Sequence, residues 1–260
     1  MINKRVQLQA ALNLENLRDN SYPGRIIIVG LNQAGTHLVI MYAIMGRSPS
    51  SRNRYFEIAD DQKTLKVKPA DLTKETGDAS LLVYDAMLET SNDKLKWKFF
   101  GVSNGAQTSD ALQGFTSSYF EERWKHEPDD PHYTPRISAR VFHSNENFIL
   151  SLGLEMSVLK KSLFSEDCDH ERYKYADLEC GLGYCIHTYE GDSGKGVPLA
   201  SFNRKPFLVP IEGNAEEILE TYWEGLSREN RVSLAVKIID GQGNSEIIVK
   251  NQYEPVQQSA

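Results

Sequence analysis

The segments RIIIVG (25–30) and HLVIMYAIM (37–45) are almost continuously apolar, and NQAG (32–35) between them is a turn signal. Two apolar runs separated by such a turn predict a β-hairpin. Because nearly every position is apolar, and not every second one, both faces of these strands should be covered by other parts of the protein. The hairpin is therefore expected to lie at the centre of a layered fold.

The rest of the chain predicts more hairpins and a few helices. Further strands are expected at 55–59, 64–68, 80–88, 95–102, 136–143, 147–154 (extending to 160), 183–190, 232–240 and 245–250. Helices are expected at 5–19, from 108 to about 124, and at 214–226.

Hairpins imply antiparallel sheets, and these strands are too many for one sheet. We therefore expect an α+β fold in which two stacked antiparallel sheets lie between outer helices, a four-layer α-β-β-α sandwich. Since no Pro/Gly/Ser-rich linker divides the chain, residues 1–260 are interpreted as one domain. It begins with a helix within 1–20 and ends in a loose tail at 251–260.

Composition excludes several classes of function. The chain has 260 residues, 29 of them basic and 36 acidic, and the net charge of −7 argues against a nucleic-acid binder. It holds no apolar run of about 18 residues, which predicts no membrane span. The start, MINKRVQLQA, has no apolar signal region. We expect a cytoplasmic protein whose partner is a small molecule.

Three features suggest chemistry that closer inspection does not favour. GDSGKG (191–196) lacks the first glycine and the Lys-Ser/Thr pair of a phosphate-binding loop, and Ser193 is interpreted as a loop serine. The group 167–170 (DCDH) is more typical of a solvated surface than of a metal site. Cys168, Cys180 and Cys185 have no metal-like spacing and are interpreted as reduced thiols. No metal is expected.

An arginine-rich loop follows the first hairpin. Arg47, Arg52 and Arg54 lie within eight residues of one another, and guanidinium groups bind phosphate or carboxylate in bidentate fashion. By spacing alone, a solvated basic loop is the simpler interpretation.

Four other positions have the same ambiguity. SNG at 103–105 precedes a predicted helix and can offer N–H groups to an anion, but it is also an ordinary turn. Arg136 opens a strand after a Thr-Pro turn. Tyr84 is by default a core tyrosine, and Glu127 a loop acid.

Most of these residues lie in or near four segments that are best interpreted together, in this order along the chain: YPGRIIIVG (22–30), RSPSSRNRYF (47–56), GVSNGAQTSD (101–110) and YTPRISARV (133–141). Together they resemble the archaeal-type IMP cyclohydrolase family over roughly residues 22–240. The Ser-Asn-Gly with its downstream Thr-x-Asp and the Thr-Pro-Arg are the most specific parts.

The chain departs from the family pattern in three places, which marks it as a divergent member. It adds the N-terminal helix, a longer arginine loop and extra residues across 160–205.

The resemblance implies a fold like that of the N-terminal nucleophile hydrolases, which agrees with the layers expected above. It also implies a reaction, the last step of purine synthesis. In that step the carboxamide nitrogen of 5-formamidoimidazole-4-carboxamide ribotide attacks the formyl carbon of the same molecule, and water leaves to give IMP. Because attacker and electrophile share one molecule, the reaction needs no covalent nucleophile, metal or cofactor.

The resemblance further implies roles for single residues. Tyr84 is a candidate proton donor near the formyl group, and Glu127 a candidate acid/base or orienter of the amide, although its alignment needs a one-residue gap. Arg54 is assigned to substrate binding or oxyanion stabilisation, with Arg52 as a rival because of the longer loop. The residues implied to bind the nucleotide and its phosphate are Arg47, Arg52, Ser103, Asn104, Gly105 and Arg136.

Several alternatives stay open. An amidohydrolase-like enzyme on the same sandwich would need an activated nucleophile, and the sequence offers no convincing one. A nucleotide-binding protein without catalysis would keep the pocket alone. Arg25 fits a structural ion pair as well as a site residue. We expect a homo-oligomer, and the segment 160–205 either covers the pocket or builds an interface.

Overall fold

Two antiparallel sheets form the frame of the molecule. The computed structural model describes residues 3–74, 83–92, 94, 96–115, 118–144, 152–194 and 197–255. The strands are β1 (Arg25–Leu31), β2 (His37–Met45), β3 (Tyr55–Ile58), β4 (Leu65–Lys68), β5 (Tyr84–Asn92), β6 (Trp97–Ser103), β7 (Arg136–Ser144), β8 (Leu152–Lys161), β9 (Cys168–Tyr175), β10 (Leu182–His187), β11 (Phe207–Pro210), β12 (Arg231–Asp240) and β13 (Ser245–Asn251). The helices are α1 (Lys4–Asp19), α2 (Pro49–Arg52), α3 (Thr108–Gln113), α4 (Ser118–Arg123) and α5 (Ala215–Gly225), with a single 3-10 turn at Leu72–Lys74.

The first sheet has the strand order β11-β10-β1-β2-β12-β13, and the second runs from β3 to β9 in chain order. The named strands pair antiparallel throughout. The α+β class and the two antiparallel sheets predicted from sequence are thus confirmed. β1 and β2 occupy the middle of the first sheet, the position that their apolar sequences predict.

Alternate residues of β1 enter two different cores. Ile27 and Val29 point between the two sheets and share a core with Phe100 and Val141 of the second sheet. Ile26 and Ile28 point outward and pack with residues of the helical layer. Side chains of a strand alternate between its faces, so a strand covered on both sides needs apolar residues at every position.

The outer helices pack their apolar sides on the sheets. In α1 the residues Ala10, Leu14 and Leu17 are buried at helical spacing, and α5 buries Ile218 and Trp223. Both helices begin at an asparagine whose side chain accepts a hydrogen bond from the first turn, as expected for Asn214.

A smaller cluster covers the other face of the second sheet. There Phe115 and Phe120 pack against Ala111 of α3 and Leu159 of β8. The layers are therefore helix, sheet, sheet and short helices.

Some predicted elements differ from the observed ones. The helix expected from 108 to about 124 is divided into α3 and α4, and the backbone at Gly114 turns to a φ of 108°. No side chain caps α3, and its N-cap is Gln107. The strand expected at 80–88 is β5, and residues 80–82 lie outside the described part.

Three elements were not predicted. β9 has no fully buried residue, with half-buried Tyr173 and Tyr175 on one face and exposed Arg172 and Lys174 on the other. β11 is only four residues long, and α2 is a single turn within the arginine-rich loop. Each offers too few buried apolar positions for a hydrophobic period to reveal it. Residues 251–255 continue from β13, and 256–260 lie outside the described part.

Candidate active site

A polar cluster fills one end of the space between the sheets. Arg25, Tyr84 and Arg136 are the first residues of β1, β5 and β7, three strands that start at this end. Arg54 enters from the loop after α2, and Glu127 from the loop before β7. All five side chains are buried. The structure thus brings together the three residues predicted to be catalytic and one of those predicted to bind the nucleotide.

Two tyrosines from opposite sheets meet in this cluster. The hydroxyl of Tyr42 on β2 lies 2.7 Å from the hydroxyl of Tyr84 on β5. The Tyr42 ring also stacks on Phe56, with ring centroids 5.4 Å apart. Burial raises the pKa of Tyr42 well above its ordinary value, and the neighbouring Tyr84 raises it further. Tyr42 therefore keeps its proton and can act as a hydrogen-bond donor.

Arg54 is fully buried, at 0% exposure. Its Nε donates to the carbonyl of Ser51 at 3.0 Å and its Nη2 to the carbonyl of Met45 at 3.5 Å. Its Nη1 has no hydrogen-bond partner among the described residues. Burial lowers the pKa of Arg54, and the positive charge of Arg25 lowers it further. A buried donor in this state is ready for an anionic or carbonyl ligand.

Glu127 supplies the buried carboxylate of the cluster. Its Oε2 lies 3.6 Å from Nη2 of Arg25, while its Oε1 has no hydrogen-bond partner within the described ranges. Burial raises the pKa of Glu127, and Arg25 and Arg136 oppose that rise. The backbone N–H of Glu127 donates to the carbonyl of Thr134 at 2.8 Å, which fixes the loop. The sequence left open whether Arg25 forms a structural ion pair or belongs to the site. Arg25 does form an ion pair, and its partner Glu127 is a predicted site residue.

The turn at 103–107 holds Arg136 in place. The side chain of Asn104 donates to the carbonyl of Pro135 at 2.8 Å and accepts from the N–H of Ile137 at 2.8 Å. Gln107 donates to Asn104 at 3.1 Å and accepts from Nη1 of Arg136 at 3.0 Å.

Ser103 bonds to Ser138 at 2.9 Å, and both Ser103 and Asn104 are fully buried. Their polar side-chain atoms are thus occupied by protein groups. The structure gives Ser103 and Asn104 a supporting place behind Arg136, and direct contact with a nucleotide stays a prediction.

Arg47 and Arg52 lie outside the buried cluster. Arg47 forms an ion pair with Asp192 at 2.6 Å and stacks over the ring of Tyr22. Arg52 donates to the carbonyl of Gly46 at 3.0 Å and to the side chain of Asn230 at 3.2 Å. Of the two rival arginines, only Arg54 reaches the cluster.

Sequence reasoning missed Tyr42, Gln107 and Tyr189. The hydroxyl of Tyr189 bonds to Oγ1 of Thr134, and its ring stacks on Tyr22 with centroids 5.9 Å apart. Burial raises the pKa of Tyr189. All three residues lie within segments that the sequence analysis marked: 37–45, 101–110 and 183–190. For Tyr42, nothing in a strongly apolar strand shows which side chain faces the opposite sheet.

The features that the sequence analysis did not favour as functional lie outside the cluster. Ser193 is exposed in its loop, and Lys195 and Gly196 lie outside the described part. The three cysteines are free thiols. The described part of the chain contains no group of three or more His, Cys, Asp or Glu side chains arranged to hold a metal. Among its helices none is long and apolar enough to cross a membrane.

Gly105→Ala is expected to weaken ligand binding without disturbing the fold. A Cβ at this position would stand 2.7 Å from Oε1 of Gln107 and closer still to the Arg136 guanidinium. Both are ends of flexible side chains, so the backbone can stay while Arg136 moves. Loss of one charged hydrogen bond predicts about tenfold weaker binding of IMP, the nucleotide that the sequence resemblance implies, measured by calorimetry.

Gly225→Ala is the matched control, because the atoms nearest to its Cβ would all belong to the Arg18 side chain in the outer layer. Unchanged IMP binding by Gly105→Ala would mean that Arg136 does not need its present position.

The fold and the site define a class of protein. It is a sandwich of two antiparallel sheets that buries arginines, a carboxylate and paired tyrosines at one end. Residues 22–243 match the sequence model of a family described as IMP cyclohydrolase-like protein. This match covers more than half of the chain, and the chain belongs to the IMP cyclohydrolase-like family. The resemblance found in the sequence is thereby confirmed.

No curated protein and no solved structure gives a significant match to the chain. Membership of the family associates the chain with hydrolase activity in purine biosynthesis and with a nucleotide-like small-molecule substrate.

Proposed function

We propose that the protein is an IMP cyclohydrolase, which closes the ring of 5-formamidoimidazole-4-carboxamide ribotide to give IMP and water. The observation that carries this proposal is the group of three buried guanidiniums, Arg25, Arg54 and Arg136, around one buried carboxylate, Glu127. Burying charge without full compensation costs several kcal/mol per ion, so such a group is costly to the fold alone. An anionic ligand that develops further negative charge during the reaction would compensate this excess of buried positive charge.

The first role of the site is to hold the two reacting groups together. The carboxamide nitrogen and the formyl carbon belong to one molecule, so fixing two torsions brings them within attacking distance. Arg136 at the start of β7 donates to Gln107, which Asn104 holds in turn, and these contacts keep its guanidinium in one orientation. We assign Arg136 to the nucleotide, and Arg47 at the edge of the cluster to its phosphate.

The second role is to move protons and stabilise charge. As the carboxamide nitrogen forms its bond to the formyl carbon, Glu127 accepts a proton from that nitrogen, and the formyl oxygen becomes an alkoxide facing Arg54 and Tyr84. Tyr84 donates its proton to this oxygen. Glu127 then gives the proton that it accepted to the resulting hydroxyl as the C–O bond breaks, so water leaves. One N–H proton passes to the ionised Tyr84 as the ring double bond forms, which returns both side chains to their starting states.

Three unpartnered atoms support these assignments. Nη1 of Arg54 and Oε1 of Glu127 are a donor and an acceptor free for ligand, and Nε of Arg25 is a second free donor in the described part of the chain. A buried group without a partner costs about 1–3 kcal/mol, and a ligand that bonds to it recovers that energy.

Three further statements belong to the same proposal. The chain forms one domain related in fold to the N-terminal nucleophile hydrolases. It works in the cytoplasm as a homo-oligomer, and it needs neither a metal nor a cofactor.

The direct test is to mix the purified protein with the formamido ribotide, without metal or folate, and follow IMP by ultraviolet absorbance. Turnover supports the proposal. Tight binding of IMP without turnover would favour a nucleotide-binding protein, and the absence of both would refute the proposed substrate.

Tyr84→Phe is expected to lower kcat by about 10²-fold or more while IMP binding changes by less than about threefold, since it removes a proton donor and little contact area. Steady-state kinetics and calorimetry give the two quantities. Tyr55→Phe, which removes a hydroxyl bonded to Glu57 within the edge strand β3, is the control. Unchanged kcat in Tyr84→Phe would remove Tyr84 from the mechanism.

A further inference from the structure

We propose that Tyr42 is a positioning residue that acts through Tyr84: its hydroxyl donates to the Tyr84 hydroxyl and stabilises the tyrosinate formed when Tyr84 gives up its proton. This inference rests on the function proposed above. It concerns a residue that the sequence motifs do not include and that does not itself face the reacting atoms.

The Tyr42 hydroxyl has a close polar neighbour, the Tyr84 hydroxyl. Tyr42 lies on an inner strand of the first sheet at 0% exposure, and its ring is fixed by stacking on Phe56. The hydrogen bond that the described residues give to its hydroxyl is the 2.7 Å contact with Tyr84. Because both rings are held by packing in opposite sheets, this contact fixes the position of the Tyr84 oxygen.

The direction of the hydrogen bond follows from the chemistry. Between two neutral hydroxyls either oxygen can donate. If Tyr84 is to give its own proton to the substrate, it must receive a hydrogen bond from Tyr42. Once Tyr84 is ionised it has no proton left, and only Tyr42 can be the donor.

Burial and the surrounding charges act on the Tyr42 hydroxyl in opposite directions. Burial and the nearby Tyr84 raise the pKa of Tyr42, while Arg25 and Arg54 oppose the rise. The charged groups that act on the pair from other elements are Arg25 on β1 and Arg54 after α2, which interact with both tyrosines, and Arg136 on β7, which interacts with Tyr84. All three are cations, so they would compensate an anion formed on Tyr84 during the reaction, whereas burial keeps Tyr42 protonated.

The proton balance is closed within the site. The Tyr84 O–H bond breaks and a new O–H bond forms on the former formyl oxygen, which leaves the electron pair on Tyr84. Protonated Glu127 then gives its proton to this hydroxyl as the C–O bond breaks, so water leaves and Glu127 is again a carboxylate. Formation of the ring C=N bond releases one proton from nitrogen, and this proton restores Tyr84. Tyr42 keeps its own proton throughout and needs no co-reactant.

The test uses Tyr42→Phe, which removes one oxygen and keeps the ring that stacks on Phe56. We expect kcat to fall by about tenfold to a hundredfold, with KM and the affinity for IMP within about twofold, because the lost contact acts on charge that develops during reaction. The alkaline limb of the pH profile of kcat should move upward by about one pH unit, since a tyrosinate without its donor is harder to form.

Tyr173→Phe is the matched control, because it removes a hydroxyl bonded to Glu171 on the edge strand β9. A Tyr42→Phe variant with unchanged kcat and an unchanged pH profile would overturn the proposal.

A double variant separates this role from simple loosening of the structure. If Tyr42 acts through Tyr84, Tyr42→Phe should cost little more when Tyr84 is already phenylalanine. Full additivity of the two losses in kcat would show that Tyr42 acts independently and would overturn the inference.

A readout without turnover keeps this inference distinct from the proposed function. NMR of tyrosines labelled at Cζ follows the ionisation of Tyr84 in wild type and in Tyr42→Phe. A higher Tyr84 pKa in the variant supports the pairing even if the wild type fails to convert the ribotide, a result that refutes the proposed function alone. An unchanged Tyr84 pKa would overturn the role of Tyr42.

Discussion

Glu127→Gln is expected to lower kcat by about 10³-fold while binding of IMP is kept or strengthened. The carboxylate is buried beside Arg25 and Arg136, and the amide of glutamine fills the same space without accepting a proton. Removing the negative charge of Glu127 also leaves the positive charges of the three guanidiniums to act on the ligand. Steady-state kinetics with the ribotide and calorimetry with IMP measure the two effects.

The pH dependence gives this prediction a second readout. Burial raises the pKa of Glu127, so the carboxylate becomes available as a base only at a pH higher than for an exposed glutamate. The acidic limb of kcat/KM in the wild type should therefore lie above the ordinary range of glutamate, and the residual activity of Glu127→Gln should lack that limb.

The matched control is Glu220→Gln, since Glu220 pairs with Lys250 on the outer face of the first sheet, away from the cluster. A Glu127→Gln variant with kcat within about threefold of wild type would exclude Glu127 as the base. A variant that lost IMP binding as well would show that the carboxylate holds the arginines in place.

Arg54→Met is expected to weaken binding of IMP by about 10²-fold and to reduce kcat/KM by at least as much. A buried guanidinium that bonds an anionic group contributes about 2–5 kcal/mol, and each 1.4 kcal/mol is a factor of ten. Methionine keeps much of the apolar stem, and it removes a buried cation whose Nη1 has no partner in the described part of the protein. Folding should therefore survive, as thermal unfolding can check.

Arg52→Met is the natural control, because Arg52 lies two residues away and bonds to Gly46 and Asn230 outside the cluster. We expect its affinity for IMP to stay within about threefold of wild type. If Arg52→Met lost binding and Arg54→Met did not, the assignment of the site arginine would have to be reversed.

On the proposed mechanism, the cluster can catalyse a reaction although the described site residues include no activated nucleophile. Ring closure within one molecule asks for positioning, a base, a proton donor and stabilisation of an oxyanion. Arg136, Glu127, Tyr84 and Arg54 match these needs one by one, and all four are buried between the sheets.

The amino-acid sequence by itself determined the frame of the protein. The apolar hairpin at 25–45 could be stable only with cover on both faces, and the hairpin order required antiparallel sheets. The short motifs also identified the family, since their residues recur in a fixed order. Elements with a strong hydrophobic period, such as α1 and α5, were predicted within one or two residues.

The tertiary structure decided those features that no local sequence pattern contains. Nothing in HLVIMYAIM shows that Tyr42 meets Tyr84, because a strand apolar on both faces does not reveal which face meets the other sheet. The choice between Arg52 and Arg54 depends on the turn of α2, which directs one guanidinium inward and the other to Asn230. A site assembled from strand ends far apart in sequence exists only once both sheets are stacked.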